Sequence, residues 1–186
     1  MPVPKNKRYI ISLGGSLIVP DQIDVGFLKS FRKIVEDNIR SGKKFLIITG
    51  GGKTARRYAE AARTLGVLHS NDLDWLGIHA TRINGHLMRT IFRKIAYKKI
   101  ITDPDEFKVP EKFPVIVAAG YEPGCSTDYV AVILAKRYSA HSLLNLSNID
   151  YVYDKDPKKF ADAKKMPRMT WKEFRKLVGN RWDPGL

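Results

Sequence analysis

Short apolar runs that end in glycine turns alternate along this chain with segments of helical periodicity. RYIISL (8–13) is followed by Gly14 and Gly15, and FLIIT (45–49) is followed by three consecutive glycines. Apolar runs without polar alternation are typical of strands that are buried on both faces of a parallel sheet. The pattern therefore predicts an α/β fold, with a mostly parallel sheet covered by helices on both faces.

The same reasoning predicts the remaining elements. Apolar residues recur at helical spacing over residues 24–41, and Gly42 then ends that helix. Two further strands are predicted at PVIVAAG (114–120) and SLLNLS (142–147). Further helices are predicted in KTARRYAEAARTLG (53–66), over about residues 73–97, in TDYVAVILAKRYSA (127–140) and in TWKEFRKLVG (170–179). Because no repeat or linker interrupts the pattern, we expect a single domain over residues 1–186.

Composition narrows the class of protein. No apolar run reaches the roughly 18 to 20 residues that span a bilayer, and the first residues lack the apolar core of a signal peptide. Cys125 is the only cysteine, so the sequence predicts neither an internal disulfide nor a cysteine-based zinc site. We therefore expect a cytoplasmic protein with no membrane partner.

The formal net charge of +14 indicates a polyanionic partner or a phosphate-bearing substrate. The basic residues are dispersed from Lys5 to Arg181 and form no compact block of the kind seen in nucleic-acid-binding arms. Most of them are interpreted as solvated surface residues. No nucleic-acid partner is therefore expected.

The glycine-bearing loops follow predicted strands, where open parallel sheets bind ligands. In GGGKTAR (50–56) a helix begins directly after the glycine turn, and its free backbone N–H groups suit phosphate oxygens. Lys53 and Arg56 lie on the first turn of this helix and add positive charge. The segment fits neither the P-loop pattern nor the dinucleotide fingerprint. We interpret it as a phosphate site of another architecture.

Three other loops of the same edge carry further candidates. Gly14-Gly15-Ser16 offers a second anion-binding turn, and GYEPGCSTD (120–128) offers a third, in which Asp128 is interpreted as a helix cap. In NIDYVYDKDP (148–157), Tyr151 or Tyr153 is a candidate for stacking on a base, and Asp150, Asp154 or Asp156 for contacts with ribose or Mg²⁺ waters. An ordinary Asx and proline turn is the alternative for that segment.

Five ordered segments resemble those of the amino-acid kinase family. They are SLGGSL, TGGGKTARRYAEAA, LDWLGIHATRINGHL, PGCSTDYVAVILA and NLSNIDYVYDKDP, and the likeness is greatest to the archaeal-type uridylate (UMP) kinases. The resemblance implies a three-layer αβα sandwich in which ATP and UMP meet over the strand ends. It also implies ATP-dependent phosphorylation of UMP to UDP, with Mg²⁺ carried by ATP and no metal ligands supplied by the protein.

The resemblance assigns site residues by position. On the ATP side it implies Gly15, Ser16, Gly52, Arg56, Ser147, Tyr153 and Asp156. On the UMP side it implies Gly51, Asp74, Tyr121, Glu122, Pro123, Gly124, Cys125, Ser126 and Thr127. Arg56, with Lys53, is expected to neutralise charge on the phosphoryl group in flight. A side chain at Gly51 or Gly52 is expected to obstruct the path of that group.

Two features depart from the family pattern. Ser12 lies where many members carry a lysine before the first glycine turn, a lysine that archaeal-type UMP kinases also lack. The chain stops at WDPGL (182–186), where the family continues into another helix and strand, so the final helix and strand are expected to be absent. Family resemblance further implies a homo-oligomer, usually a hexamer.

The sequence leaves three alternatives open. Another kinase of the family would act on isopentenyl phosphate, a carboxylate or a carbamate, although no convincing equivalent of the histidine used by isopentenyl phosphate kinases is found. A non-catalytic module would bind ATP or UMP without turnover. A basic RNA-binding protein would lose affinity steeply with salt.

Overall fold

The computed structural model describes residues 7–67, 69–105, 112–157 and 159–179, so the closing WDPGL segment lies outside the described residues. The strands are β1 (Arg8–Leu13), β2 (Lys44–Thr49), β3 (Ala96–Ile101), β4 (Val115–Ala118) and β5 (Ser142–Leu146). The helices are α1 (Gly15–Ile18), α2 (Val25–Arg40), α3 (Gly52–Thr64), α4 (Ser70–Ile91), α5 (Thr127–Arg137) and α6 (Trp171–Val178).

The strands form one parallel sheet in the order β3-β4-β2-β1-β5. The central strands are apolar on both faces because each face is covered by helices. On one face, Ile11 and Ile47 pack with Phe31 of α2 and Met88 of α4. On the other face, Ile10, Leu46 and Ile48 pack with Val130 and Leu134 of α5. The predicted three-layer αβα sandwich with a parallel sheet is confirmed.

One predicted boundary was wrong. The helix predicted to run to about residue 97 ends at Ile91, and residues 96–101 form β3, which the sequence analysis did not predict. β3 lies at the edge of the sheet, and its exposed Lys98 and Lys99 hide the apolar signature of a strand. Ala96 pairs with Val115 and Ile101 with Ala118, so pairing with β4 determines that residues 96–101 form a strand.

The strand at the opposite edge is less covered than the central strands. Leu143 and Leu144 of β5 point to opposite faces and are 37% and 44% exposed. Tyr129 and Val132 of the neighbouring helix α5 are also exposed. β5 was predicted correctly as a strand, but its side chains are not those of a buried central strand.

Caps fix the ends of two predicted helices. Asp24 accepts the backbone N–H of Phe27 at 2.8 Å at the start of α2. At α6, the Thr170 hydroxyl accepts the N–H of Glu173 at 3.3 Å, and the Glu173 carboxylate accepts the Thr170 N–H at 2.6 Å. The Thr170 hydroxyl also donates to that carboxylate at 2.8 Å, and the hydrogen bonds that the carboxylate accepts from the Thr170 backbone and hydroxyl lower the pKa of Glu173. In the described part of the chain, no helix combines the length and apolar character needed to cross a membrane.

Candidate functional site

Backbone hydrogen bonds join three of the predicted strand-end loops at one edge of the sheet. The N–H of Gly14 donates to the carbonyl of Leu146 at 2.8 Å, and the N–H of Gly50 donates to the carbonyl of Leu13 at 2.9 Å. These bonds continue the parallel pairing of β1 with β5 and β2 into the loops. The glycine turns therefore lie side by side, as the sequence analysis expected.

The first two glycine turns pack directly against each other. A Cβ atom added to Gly15 would lie 2.0 Å from the backbone nitrogen of Gly52. One added to Gly52 would lie 2.2 Å from the carbonyl oxygen of Gly15, and Gly52 also has a φ of +64°. Both distances are far below van der Waals contact, so these glycines are required by the fold itself. The family resemblance relates Gly52 to ATP binding and to the path of the phosphoryl group, and this packing is a further cause.

The N-terminus of α3 carries the predicted cations. The backbone N–H of Lys53 donates to the carbonyl of Val19 at 2.9 Å, so this donor is already occupied, contrary to the expectation of free donors throughout the turn. The side chain of Lys53 is half-buried, whereas Arg56 is exposed and has no ion pair within the described ranges. Both residues line an open groove of about 680 Å³ that runs along α3. Arg56 is therefore available to an anionic ligand.

Helix α4 holds the loop that follows β4. The Asp74 carboxylate accepts the N–H of Gly124 at 2.8 Å. The guanidinium of Arg82 donates to the carbonyls of Gly120 at 3.3 Å and Tyr121 at 3.0 Å. The structure thus brings Asp74 together with the segment 121–127, two parts of the predicted UMP side that are distant in sequence.

Carboxylates lie close to the same loop. The carboxylates of Asp103 and then Glu122 raise the pKa of the Tyr121 hydroxyl. Burial, followed by the charge of Glu122, raises the pKa of the Cys125 thiol. A thiol with a raised pKa is mostly protonated at neutral pH and is a poor nucleophile. Cys125 is therefore not suited to act as a nucleophile.

Ser126, and not Asp128, caps helix α5. The Ser126 hydroxyl accepts the N–H of Tyr129 at 3.0 Å. The carboxylate of Asp128 instead accepts the hydroxyl of Ser12 at 2.6 Å, so the predicted capping role of Asp128 was wrong. Because Ser12 is buried near the end of β1, its hydroxyl finds a partner in the first turn of the helix packed on that strand. Ser12 thereby connects the first glycine turn to the start of α5.

The residues predicted for the ATP side lie in two parts of the structure, the glycine turns with Ser147 and the later part of the loop after β5. Ser147 lies beside the first glycine turn, since a Cβ added to Gly14 would be 3.6 Å from the Ser147 Cα. Tyr153 forms an isolated antiparallel bridge with Lys165. The carbonyl of Asp156 accepts the N–H of Phe160 at 2.9 Å. These contacts place Tyr153 and Asp156 in the loop that connects β5 to α6.

Sequence reasoning missed three polar residues of α4. Asn84 is 4% exposed, and its amide donates to the carbonyls of Gly50 at 2.8 Å and Gly51 at 3.2 Å. The hydroxyl of Thr81 accepts the N–H of Gly120 at 2.7 Å, and Arg82 holds the same loop. The pair Asn84-Gly85 could have indicated a special role, because both residues are poor helix formers and yet lie inside a long helix. Asn84 fixes the carbonyl groups of the three-glycine turn.

A family model described as the amino acid kinase family matches residues 7–185. The chain belongs to the amino acid kinase family. Within the described ranges of this amino acid kinase, no group of three or more His, Cys, Asp or Glu residues is suited to hold a metal ion.

Relatives of this amino acid kinase include uridylate kinases of archaea. The chain is 39% identical to the uridylate kinase of Thermoplasma acidophilum over 168 residues, which cover 90% of this chain and 72% of the relative. It is 36% identical to the uridylate kinase of Thermococcus onnurineus, with 88% and 72% covered. The crystal structure of uridylate kinase from Archaeoglobus fulgidus has a TM-score of 0.79 and 32% identity, covering 92% of this chain and 78% of that one. UMP kinase from Ureaplasma parvum, at 20% identity and a TM-score of 0.73, shares the fold.

Replacing Gly15 with alanine should destabilise the fold strongly. The added Cβ meets backbone atoms of the neighbouring turn, which cannot move as a side chain does, so the free energy of unfolding should fall by about 3 kcal/mol. Gly77→Ala is the matched control, because an added Cβ there meets nothing within 4 Å in helix α4. This control should raise the free energy of unfolding by roughly 0.5 to 1 kcal/mol. Urea unfolding followed by circular dichroism measures both, and equal stabilities of Gly15→Ala and the wild type would refute the packing argument.

Replacing Asn84 with alanine should loosen the three-glycine turn. The buried carbonyl of Gly50 and the partly buried carbonyl of Gly51 lose their shared donor, so the free energy of unfolding should fall by about 2 kcal/mol. Asn71→Ala on the exposed surface of the same helix should change it by less than about 0.5 kcal/mol. Chemical denaturation of the two variants provides the comparison. If they are equally stable, the hydrogen bonds of Asn84 do not stabilise the turn.

Proposed function

We propose that this chain is an ATP-dependent UMP kinase that transfers the γ-phosphoryl group of ATP to UMP and yields UDP and ADP. The observation that carries the proposal is the hydrogen bond from Gly124 to Asp74. It joins the two segments by which the chain most resembles UMP kinases. Helix α4, which carries Asp74, also contacts the three-glycine turn through Asn84. The alignment with the uridylate kinase of Thermoplasma acidophilum, at 39% identity over 90% of the chain, also supports UMP as the acceptor.

The proposed division of the site follows the two groups of loops. ATP is assigned to the first glycine turn, the start of α3 and the loop after β5, with Gly15, Ser16, Gly52, Arg56, Ser147, Tyr153 and Asp156. UMP is assigned to the loop held by α4, with Gly51, Asp74, Tyr121, Glu122, Pro123, Gly124, Cys125, Ser126 and Thr127. Gly51 supports this division, because it lies against α4 on the side of the acceptor loop: its added Cβ would be 3.4 Å from the carbonyl oxygen of Gly77.

Positioning and charge neutralisation carry the proposed reaction. An oxygen of the UMP phosphate attacks the γ-phosphorus of ATP, while the bond from that phosphorus to its bridging oxygen breaks and ADP leaves. The attacking oxygen is already anionic, so no general base is needed. Arg56 and Lys53 stabilise the charge of the transferred group, and the positive end of the α3 dipole adds to their effect. The glycine turns hold the phosphates close to the backbone.

Mg²⁺ fits the site as a companion of ATP. Without a cluster of carboxylates in the described ranges, the residues present suit an ion that is held mainly by phosphate oxygens. When bound, this ion would supply additional neutralisation of the phosphate charge. Asp128, which Ser12 orients at 2.6 Å, is the carboxylate that would hold waters of the ion.

The proposal extends to the assembly and location of the protein. We carry over from the family resemblance a homo-oligomer, expected to be a hexamer, and a cytoplasmic location. The single cysteine in the sequence supports a reducing compartment. Light scattering of the purified protein would determine its mass in solution.

A screen of phosphoryl acceptors tests the proposed function. The purified chain, ATP and Mg²⁺ are incubated separately with UMP, CMP, isopentenyl phosphate and a carboxylate acceptor. We expect UDP and ADP in equal amounts with UMP and much slower transfer to the other acceptors. Faster transfer to another acceptor would assign a different kinase of the family. Calorimetric binding of UMP and ATP without transfer would assign a non-catalytic nucleotide-binding module.

Arg56→Ala should lower kcat/KM for UMP phosphorylation by at least about 100-fold, because it removes a cation from the charge that develops in the transition state. Arg56 is exposed, so the variant should keep the melting temperature of the wild type. Arg63→Ala is the matched control, since Arg63 is an exposed arginine in the last turn of the same helix. Steady-state kinetics of the wild type and the two variants tests the catalytic role of Arg56. A near-normal rate for Arg56→Ala would exclude that role.

A further inference from the structure

Basic side chains gather at the amino edge of the sheet, opposite the candidate site. Lys7, Lys43 and His141 come directly before or at the start of β1, β2 and β5. Backbone bonds join these starts: the Lys44 N–H donates to the Lys7 carbonyl at 3.1 Å, and the His141 N–H donates to the Arg8 carbonyl at 2.8 Å. Side chains from three separate segments therefore occupy one continuous edge.

The carboxyl ends of three helices meet the same edge. Helix α2 ends at Arg40, three residues before Lys43, and α5 ends at Arg137, four residues before His141. Arg93 and Lys94 follow α4 and immediately precede β3. We define the basic edge by these residues together with Lys112, which precedes β4: Lys7, Arg40, Lys43, Lys44, Arg93, Lys94, Lys112, Lys136 and Arg137.

Helix dipoles explain only part of this cluster. Arg40, Lys136 and Arg137 lie in last helical turns, where a cation is favourable. Lys7 precedes strand β1 and follows no helix of the described chain, so no such dipole explains its position. Asp37 pairs with Arg40 at 2.8 Å and Asp105 with Arg137 at 3.4 Å.

Several lysines of the basic edge lack an acidic partner. In the ranges that the structure describes, no ion pair neutralises Lys7, Lys43, Lys94 or Lys136. Lys43 donates to the Asn38 amide oxygen at 2.7 Å, and Lys7 lies 3.3 Å from the His141 ring nitrogen. Neither contact removes positive charge. The edge thus keeps a concentrated positive charge.

The extent of the basic edge selects an extended polyanion. Neighbouring strands lie about 4.8 Å apart, so the edge from β3 across β4, β2 and β1 to β5 measures about 19 Å. This is too wide for one phosphate group to contact all the lysines, but it matches several consecutive phosphates of a nucleic acid strand. Half-buried rings lie among the cations: the Lys43 ammonium is 5.6 Å from the centre of the Tyr9 ring, and the Lys112 ammonium is 5.4 Å from that of Phe113. These cation–π contacts hold the two lysine side chains over packed rings and so keep their ammonium groups at the edge.

A membrane surface fits the basic edge less well. Binding to a bilayer requires exposed apolar side chains that enter the headgroup region next to the cations. Exposed rings of that size, such as Trp75 and Tyr129, lie near the start of α4 and of α5, at the opposite edge of the sheet. The observations therefore favour nucleic acid.

We propose that the basic edge binds single-stranded RNA through its phosphate backbone, independently of base sequence. The dispersal of the basic residues along the chain favours no nucleic-acid partner when the sequence is considered alone. The fold removes that objection, since it brings residues from Lys7 to Arg137 to one edge. This surface is separate from the proposed kinase site and does not depend on it.

Fluorescence anisotropy with a labelled, mixed-sequence RNA of about 15 nucleotides tests the proposal, with saturating UMP and ADP present to occupy the nucleotide site. Lys7→Gln/Lys43→Gln/Lys136→Gln removes three charges from the basic edge. It should weaken binding at low salt at least tenfold. It should also reduce the slope of log K against log[salt] by about 2, because each lost phosphate contact removes about 0.7 from the slope for a single strand.

Lys29→Gln/Lys33→Gln/Lys172→Gln is the matched control, because it removes three exposed lysines of α2 and α6 away from this edge. It should bind RNA nearly as the wild type does. An equal loss in both triple variants would show attraction by net charge alone and overturn the proposal. So would absence of RNA binding by the wild type, or wild-type binding to phosphatidylserine vesicles without binding to RNA.

Protection from acetylation gives a measurement that needs no variant. In the wild-type protein, bound RNA should slow acetylation of Lys7 and Lys43, measured by mass spectrometry, and leave acetylation of Lys29 and Lys33 unchanged. Uniform protection of all four lysines, or of none, would contradict the proposed surface.

Discussion

The contact between the backbones of Gly15 and Gly52 is the constraint on which the candidate site depends. At the distances found, no Cβ fits on either residue, so backbone atoms alone set the spacing of the first two turns. Gly14 and Gly50 extend this contact by hydrogen bonds to Leu146 and Leu13. The loops after β1, β2 and β5 are therefore one unit, and a shift of any of them would move the others. A transferred phosphoryl group requires such fixed geometry, because small misplacements of the reacting atoms reduce rates strongly.

Helix α4 provides the second scaffold of the site, through buried polar groups. Asn84 binds the carbonyls of the three-glycine turn, while Thr81 and Arg82 bind the loop after β4. Burying an amide or hydroxyl is unfavourable unless it forms hydrogen bonds, so these residues favour one arrangement of both loops over alternatives in which they lack partners. The helix thereby fixes the distance between the proposed donor and acceptor halves. Asp74, near the start of the same helix, adds a contact that an acceptor would share or replace.

The sequence allowed the fold class and the glycine turns to be predicted, because both depend on local patterns. Apolar runs and helical periodicity are visible within a few residues, and glycine signals close approach of the backbone. The pairing of Ser12 with Asp128 and the hydrogen bonds of Asn84 were not predictable in this way, since each joins residues far apart in the chain. Strand β3 was missed for a related reason: its conformation depends on pairing with β4, and its own lysines resemble a helix surface.

Charge is distributed unevenly between the two edges of the sheet, and this changes the meaning of the net charge of +14. The carboxyl edge, where nucleotides are proposed to bind, carries acidic groups such as Glu122 and Asp128, and its carboxylates raise the pKa of Tyr121. The positive charges of Lys53 and Arg56 oppose the negative charge of these carboxylates only locally. Such a local positive charge suits small anions that must bind and leave. A phosphotransfer site thus accounts for few of the basic residues. Nine of the 33 Lys and Arg residues form the basic edge, where strand starts and helix ends converge, and an extended polyanion accounts for that placement better than a second small ligand does.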